Sequence, residues 1–345
     1  MKGQRKFGIV VASLLLGTFQ VSCASSVDTQ TTPASTAPVP VIWDDDGSID
    51  GVTALLYFLH HPSYEVRAAT ISPGIAHPGV FAPNLARLFA LLEVEGIPIA
   101  AGRETPLAGD NAFPGDWRTA SDGFWELDLP NTAGPADERK ASQLLIEAIK
   151  SSEQPVIIFV SGPLTNVAEA LRMDPSIKQD IRTIEVMGGA IRVSGNVQLA
   201  GTGSQAAEWN IFVDPVAARE VFSSGVEIHI TPLDATDSIE WTEADAAAWE
   251  AASAPESSVA AQLLRYTLKD WSSPGVLIWD LVAALNTSNR GLCEWEDLHI
   301  DVVLDEGTNE GQTVVVSDQA PNVSACLSPD VSAYRIAAKE VFASP

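Results

Sequence analysis

The stretch VIWDDDGSIDG, residues 41–51, carries Asp44, Asp45, Asp46 and Asp50 directly after an apolar run. Carboxylates gathered at the end of a buried strand repel one another, and burial penalises each charge unless something offsets it. A hard cation ligated by oxygens would offset them, as would a shared proton. The third possibility is a water-filled loop without chemistry. Three more polar clusters follow apolar runs: SGPLTN (161–166) after PVIIFV, MGGA (187–190) after TIEV, and PLDATD (232–237) after EIHI. Each could bring hydroxyls, amides or carboxylates to the same place as the aspartates.

The elements that must position these clusters alternate along the chain. The β-branched runs VPVIW, VRAATIS, IPIAAG, PVIIFVSG, TIEVMGG and EIHITPLD are separated by segments of helical periodicity. Those segments are residues 51–61, 82–93, 141–151, 166–173 and 215–222, with a terminal helix over 331–342. Short apolar strands between helices predict an α/β fold: a single open, mostly parallel sheet with helices on both faces. Ligands in such folds bind beyond the C-terminal strand ends, where all four polar clusters lie. Residues 297–318 predict strands joined by a Gly/Asn turn. Residues 108–130 interrupt the alternation with Phe113, Trp117, Phe124 and Trp125 and read as a lid or binding loop.

Composition narrows the partners. The 345 residues carry 45 acidic and 20 basic side chains, a formal net charge of -25, with 46% hydrophobic residues. That balance excludes nucleic acid and anionic membrane surfaces, which need clustered lysine and arginine. Lys2, Arg5 and Lys6 precede the apolar segment Phe7–Phe19 and the small residues Ser22, Cys23 and Ala24, so residues 1–24 read as an export signal. Cleavage after Ala24 and lipid attachment at Cys23 are both open, which places the mature chain in the periplasm, outside the cell or lipid-anchored at the envelope. Residues 25–38 are rich in Ser, Thr, Pro and Ala and read as a disordered linker, leaving 39–345 as the folded domain. Cys293 and Cys326 remain; no Cys/His spacing suits zinc.

Two local readings of the aspartates fall short. An EF-hand loop needs glycine at its sixth position, which counted from Asp44 is Ile49. The order strand, Asp44, Asp46, Gly47 imitates an aspartyl-phosphate phosphatase, but the lysine and the late acidic pair of that chemistry are not evident.

The same segment resembles the opening motif of the inosine/uridine-preferring nucleoside hydrolases, D-x-D-P-G-x-D-D, with Asp44, Asp46 and Asp50 on its first three aspartates. The resemblance continues in order through SGPLTNVAEAL (161–171), VMGGA (186–190), the stretch 195–218 containing AEWNIFVDPVAA, WDLVAAL (279–285) and NEGQTVVV (309–316). It implies a calcium ion held by Asp46, the main-chain oxygen of Thr165 and Asp280, with Asp46 as general base toward a metal-bound water. It implies a ribose grip by Asp50, Asn196, Glu208 and Asn210, and a homo-oligomer is compatible with it. The plainer role of Glu208 and Asn210 is to cap a helix, and that of Trp279 is to fill a core. Trp279 stands where the purine-preferring branch carries a tryptophan that stacks on the base; Trp117 or Trp125 would form the second wall.

Two positions depart from the motif. Gly51 replaces its last aspartate, a metal ligand, and Pro73-Gly74-Ile75 lacks an asparagine that contacts ribose. Asp45 is the expected substitute ligand, although strand alternation points it away from Asp44 and Asp46, and Gly51→Asp is expected to raise calcium affinity. The resemblance thus implies metal-dependent hydrolysis of ribonucleosides, with purine nucleosides the expected preference. Its alternative is a weak or silent nucleoside- or sugar-binding surface lipoprotein.

Overall fold

The computed structural model describes residues 37–132, 136–200 and 204–344. The expected export signal, Cys23 and nearly all of the linker lie outside the described residues. Six strands arise from the six apolar runs: β1 (Val39–Asp45), β2 (Tyr64–Ile71), β3 (Ile99–Ala101), β4 (Val156–Val160), β5 (Ile181–Met187) and β6 (Ile228–Thr231). They form one sheet in the order β3-β2-β1-β4-β5-β6, all parallel, followed by Val323–Pro329 and, antiparallel at the edge, Cys293–Leu298. The sheet is therefore mostly parallel, as expected.

Helices cover both faces because the strands are apolar on both. Val41, Trp43, Ile157 and Phe159 join one buried cluster, and Ile42, Ile158, Val160 and Ile184 join the other. The first cluster also contains α1 (Ile49–His60) and the helices Pro255–Asp270 and Trp279–Ser288. Strand parity then decides where the aspartates go. Asp44 shares the face of Ile42; Asp45 shares the face of Trp43, beneath α1 and Trp279–Ser288. Asp46 lies just past the strand end.

Chain order reverses between β1 and β4, so the crevice beyond their C-terminal ends is the topological switch point of the sheet. The loops carrying Asp44–Asp46 and Ser161–Thr165 meet there.

The helices follow the expected segments within a few residues: Ile49–His60, Pro78–Leu91, Ala141–Lys150, Thr165–Met173, Pro215–Phe222 and Val331–Phe342. The segment 108–130 is not only loop. It contains the helix Gly115–Asp122 and then a turn in which Phe124, Trp125 and Glu126 take φ of 53°, 50° and 61°. The left-handed region costs a non-glycine residue about 1–2 kcal/mol, and burial of Phe124 and Trp125 against Phe81 offsets it. Residues 297–318 do contain an antiparallel pair, Ile300–Val302 with Thr313–Val315. Cys293 and Cys326 form a disulfide that ties the edge strand to its neighbour.

Candidate active site

Ser48 ends the β1 loop and begins α1; its Oγ accepts from Gly51 N, the helix N-cap bond. The same Oγ lies 2.9 Å from Asp280 Oδ2 and 3.2 Å from Asp45 Oδ2. One hydroxyl proton cannot serve both carboxylates, so a second proton or a cation must relieve the remaining contact.

Asp45 accepts from Gly47 N at 2.7 Å and Ser48 N at 3.1 Å on Oδ1 and from Ser161 Oγ at 2.8 Å on Oδ2, with Ser48 Oγ shared between Oδ2 and Asp280. A Cβ on Gly51 would stand 1.8 Å from Asp45 Oδ2. The volume of a residue-51 side chain is thus taken by Asp45. This completes one expectation and corrects another. Alternation does turn Asp45 away from Asp44, but onto the face that carries Asp280. An aspartate at position 51 would collide with Asp45 rather than complete a ligand set. Glycine is required at 74 for the same reason, since a Cβ there would lie 2.1 Å from Asp46 Oδ2. Asp46 Oδ2 accepts from Ile75 N at 3.1 Å.

Asp44 is fully buried, with Oδ1 accepting from Thr70 Oγ1 at 2.6 Å and Asn166 Nδ2 at 2.8 Å. Its Oδ2, together with Asn166 Oδ1 and Ser72 Oγ, is buried without a hydrogen-bond partner. Burial pushes the Asp44 and Asp45 carboxyls up to about 7. Burial and the neighbouring Asp45 charge push Asp46 well above the usual range, and burial and the Asp50 charge do the same for Asp280. Burial also raises Asp50.

A cavity of about 610 Å³ opens from this acidic floor, lined there by Asp46, Asp50, Asp280, Asn196, Glu208 and Asn210. Glu208 Oε1 accepts from Asn210 N and Oε2 from Gly189 N, both at 2.9 Å, and burial raises its carboxyl to about 7. It caps the helix Trp209–Val213 and lines the cavity as well, while the helix from Pro215 is capped by Asp214. Asn210 Nδ2 donates to Met187 O at 3.0 Å, and Asn196 Oδ1 accepts from Trp209 N at 3.2 Å. The Thr165 side chain turns to Asp214, its Oγ1 donating to Oδ2 at 2.7 Å, so the expected role rests on its main-chain oxygen alone.

The walls are aromatic. Trp279 is half-buried, donates Nε1 to Asp237 Oδ1 at 2.8 Å and lies 5.8 Å from Trp271 between ring centres. Trp117 lies across from Trp209 at 5.7 Å, and Trp209 stacks on Phe113 at 4.4 Å. Trp125 lines the cavity but is packed into the core. Sequence reasoning missed Trp209, Trp271 and Ser48. Trp209 had a signal, its place between Glu208 and Asn210; Trp271 had none, because only the tertiary fold brings it to Trp279.

A calcium ion fits this floor by donor chemistry: buried carboxylates, the unrelieved Ser48 contact, and no lysine, arginine or histidine lining the cavity among the described residues. Among the described residues no three His, Cys, Asp or Glu side chains are already drawn into a ligating group.

The family model described as inosine-uridine preferring nucleoside hydrolase matches residues 41–335. The pyrimidine-specific ribonucleoside hydrolase RihA of Salmonella schwarzengrund is 33% identical over 231 residues, covering 67% of this chain and 72% of that protein. The protein of the same description from Salmonella arizonae is 32% identical over 308 residues, 85% and 94% of the two chains. Among solved structures, a purine-preferring ribonucleoside hydrolase from Gardnerella vaginalis superposes with a TM-score of 0.78 at 22% identity, over 88% of this chain and 98% of that one. An inosine-uridine preferring nucleoside hydrolase from Bacillus anthracis gives 0.77 at 23%, over 88% and 99%.

Proposed function

Since the chain belongs to the inosine-uridine preferring nucleoside hydrolase family, and is a hydrolase of N-glycosyl bonds, we propose that it is metal-dependent and favours large aromatic bases. The observation that carries this reading is the two-sided cavity, carboxylates at its floor and tryptophans along its walls. Asp46 and Asp280 are the side chains that would hold calcium, with the Thr165 carbonyl and Asp45 beside them. When bound, the ion would acidify a water and neutralise the floor.

Asp46 takes the water's proton as general base, the water oxygen bonds to the anomeric carbon, and the C–N bonding pair passes to the ring nitrogen of the departing base, which takes a proton from solvent. The transition state carries positive charge on the sugar, which the remaining carboxylates stabilise. Asp50, Asn196, Glu208 and Asn210 grip the ribose hydroxyls, and losing the 2'-hydroxyl would leave buried polar groups unpaired. Asp45 acts through Ser48 and Ser161 as a positioning residue.

The relatives named for pyrimidine specificity supply the competing expectation. Against it stand the indoles of Trp279, Trp271, Trp117 and Trp209, which offer more stacking area than a single six-membered ring uses. The test is competition between inosine and uridine in the presence of calcium. A higher kcat/KM for inosine supports the purine reading, and a higher value for uridine removes it. The N-terminal segment supports an exported enzyme, tested by fractionating cells that express the full chain.

A further inference from the structure

Departure of a neutral heterocycle from ribose puts a negative charge on its ring nitrogen unless an acid supplies a proton. The aromatic half of the cavity has little to supply one. Among the described residues lining it there is no histidine, lysine or arginine. Tyr266 contributes a phenol there, but burial and the nearby Asp270 and Glu126 charges push it further above 10. The buried carboxyls Asp46, Asp280 and Glu208 belong to the floor that holds the sugar.

The mouth carries the opposite character to a proton donor. Asp116 and Trp117 come from one element, and Asp270 and Trp271 from another, and all four line the same cavity. The two indoles are 37% and 47% exposed. Among the described residues neither Asp116 nor Asp270 has an ion-pair partner. Indole faces beside free carboxylates attract aromatic cations.

Resting on the N-glycosyl hydrolase reading, we infer that the preferred substrates are ribosides whose aromatic aglycone is already cationic, such as N-ribosylpyridinium or N7-alkylated purine ribosides. For these the chemistry balances without an acid. Water oxygen bonds to the anomeric carbon, the C–N bonding pair passes to the ring nitrogen, and the aglycone leaves neutral. The proton released by the water goes to Asp46.

The test uses matched pairs: N-ribosylnicotinamide against its uncharged dihydro form, and 7-methylguanosine against guanosine, with calcium present. The expected kcat/KM is higher for each cation by roughly tenfold or more, and the Asp116→Asn/Asp270→Asn double variant loses that ratio. A ratio near one, or a ratio unchanged in the double variant, overturns the inference. If no riboside is cleaved, the hydrolase reading fails, and indole-fluorescence titration with the same pairs decides the inference separately. Tighter binding of the cations sustains it; equal binding overturns it.

Discussion

At the scale of single residues, the acidic floor depends on Asp45 and the aromatic wall on Trp279. Asp45 stands where a residue-51 side chain would, so Gly51→Asp should destabilise the fold by about 1–3 kcal/mol through overpacking. Adding Asp45→Ala to that variant removes its two nearest collisions and should recover part of the melting temperature; no recovery would mean that Asp45 is not the obstruction. Trp279→Ala should lower purine-riboside turnover roughly ten- to hundredfold and pyrimidine turnover less, with a small change in melting temperature, because the indole is only half-buried. Trp125→Ala is the contrast: it sits in the core, and its loss should show first in thermal stability. The four aspartates were legible in the sequence because their spacing is local. The direction of Asp45 was not, since parity says which face a side chain takes and not which helix lies over that face.

At the scale of elements, the acidic floor links stability to pH. Asp44 and Asp45 move from 3.8, and Glu208 from 4.5, to about 7 in the folded chain, each chiefly by burial. The folded state therefore binds more protons than the unfolded chain between about pH 4 and pH 7, and metal-free stability should fall as pH rises across that window. Calcium favours the ionised carboxylates, so its stabilising shift should be larger at pH 8 than at pH 5 in a thermal melt. A shift of equal size at both would separate the ion from these groups. The strand and helix spans were readable from periodicity to within a few residues. The helices Glu243–Glu250 and Pro255–Asp270 were not assigned, yet the second brings Tyr266 and Asp270 to the cavity. The edge strand Cys293–Leu298 was hidden too, because its CEWEDL sequence is largely polar and solvent-facing.

At the scale of the whole molecule, the sheet order places the β1 and β4 loops at one switch point, and helices from the second half of the chain complete the cavity. The Cys293–Cys326 disulfide closes a separation of 33 residues on the far edge of that sheet. Reducing it should cost about 3–4 kcal/mol of stability and leave KM unchanged, since neither cysteine lines the cavity. A raised KM on reduction would show that the edge strand supports the site. Sequence left the pairing open because the approach of the two strands is a property of the assembled sheet. The central claim, hydrolysis of an N-glycosyl bond with the help of a cation at the aspartate floor, is tested most directly by free ribose. Purine, pyrimidine and cationic ribonucleosides are incubated with the enzyme in calcium or in excess chelator. Ribose released in calcium and abolished by the chelator is the predicted result; undiminished release in the chelator, or none from any riboside in calcium, would contradict it.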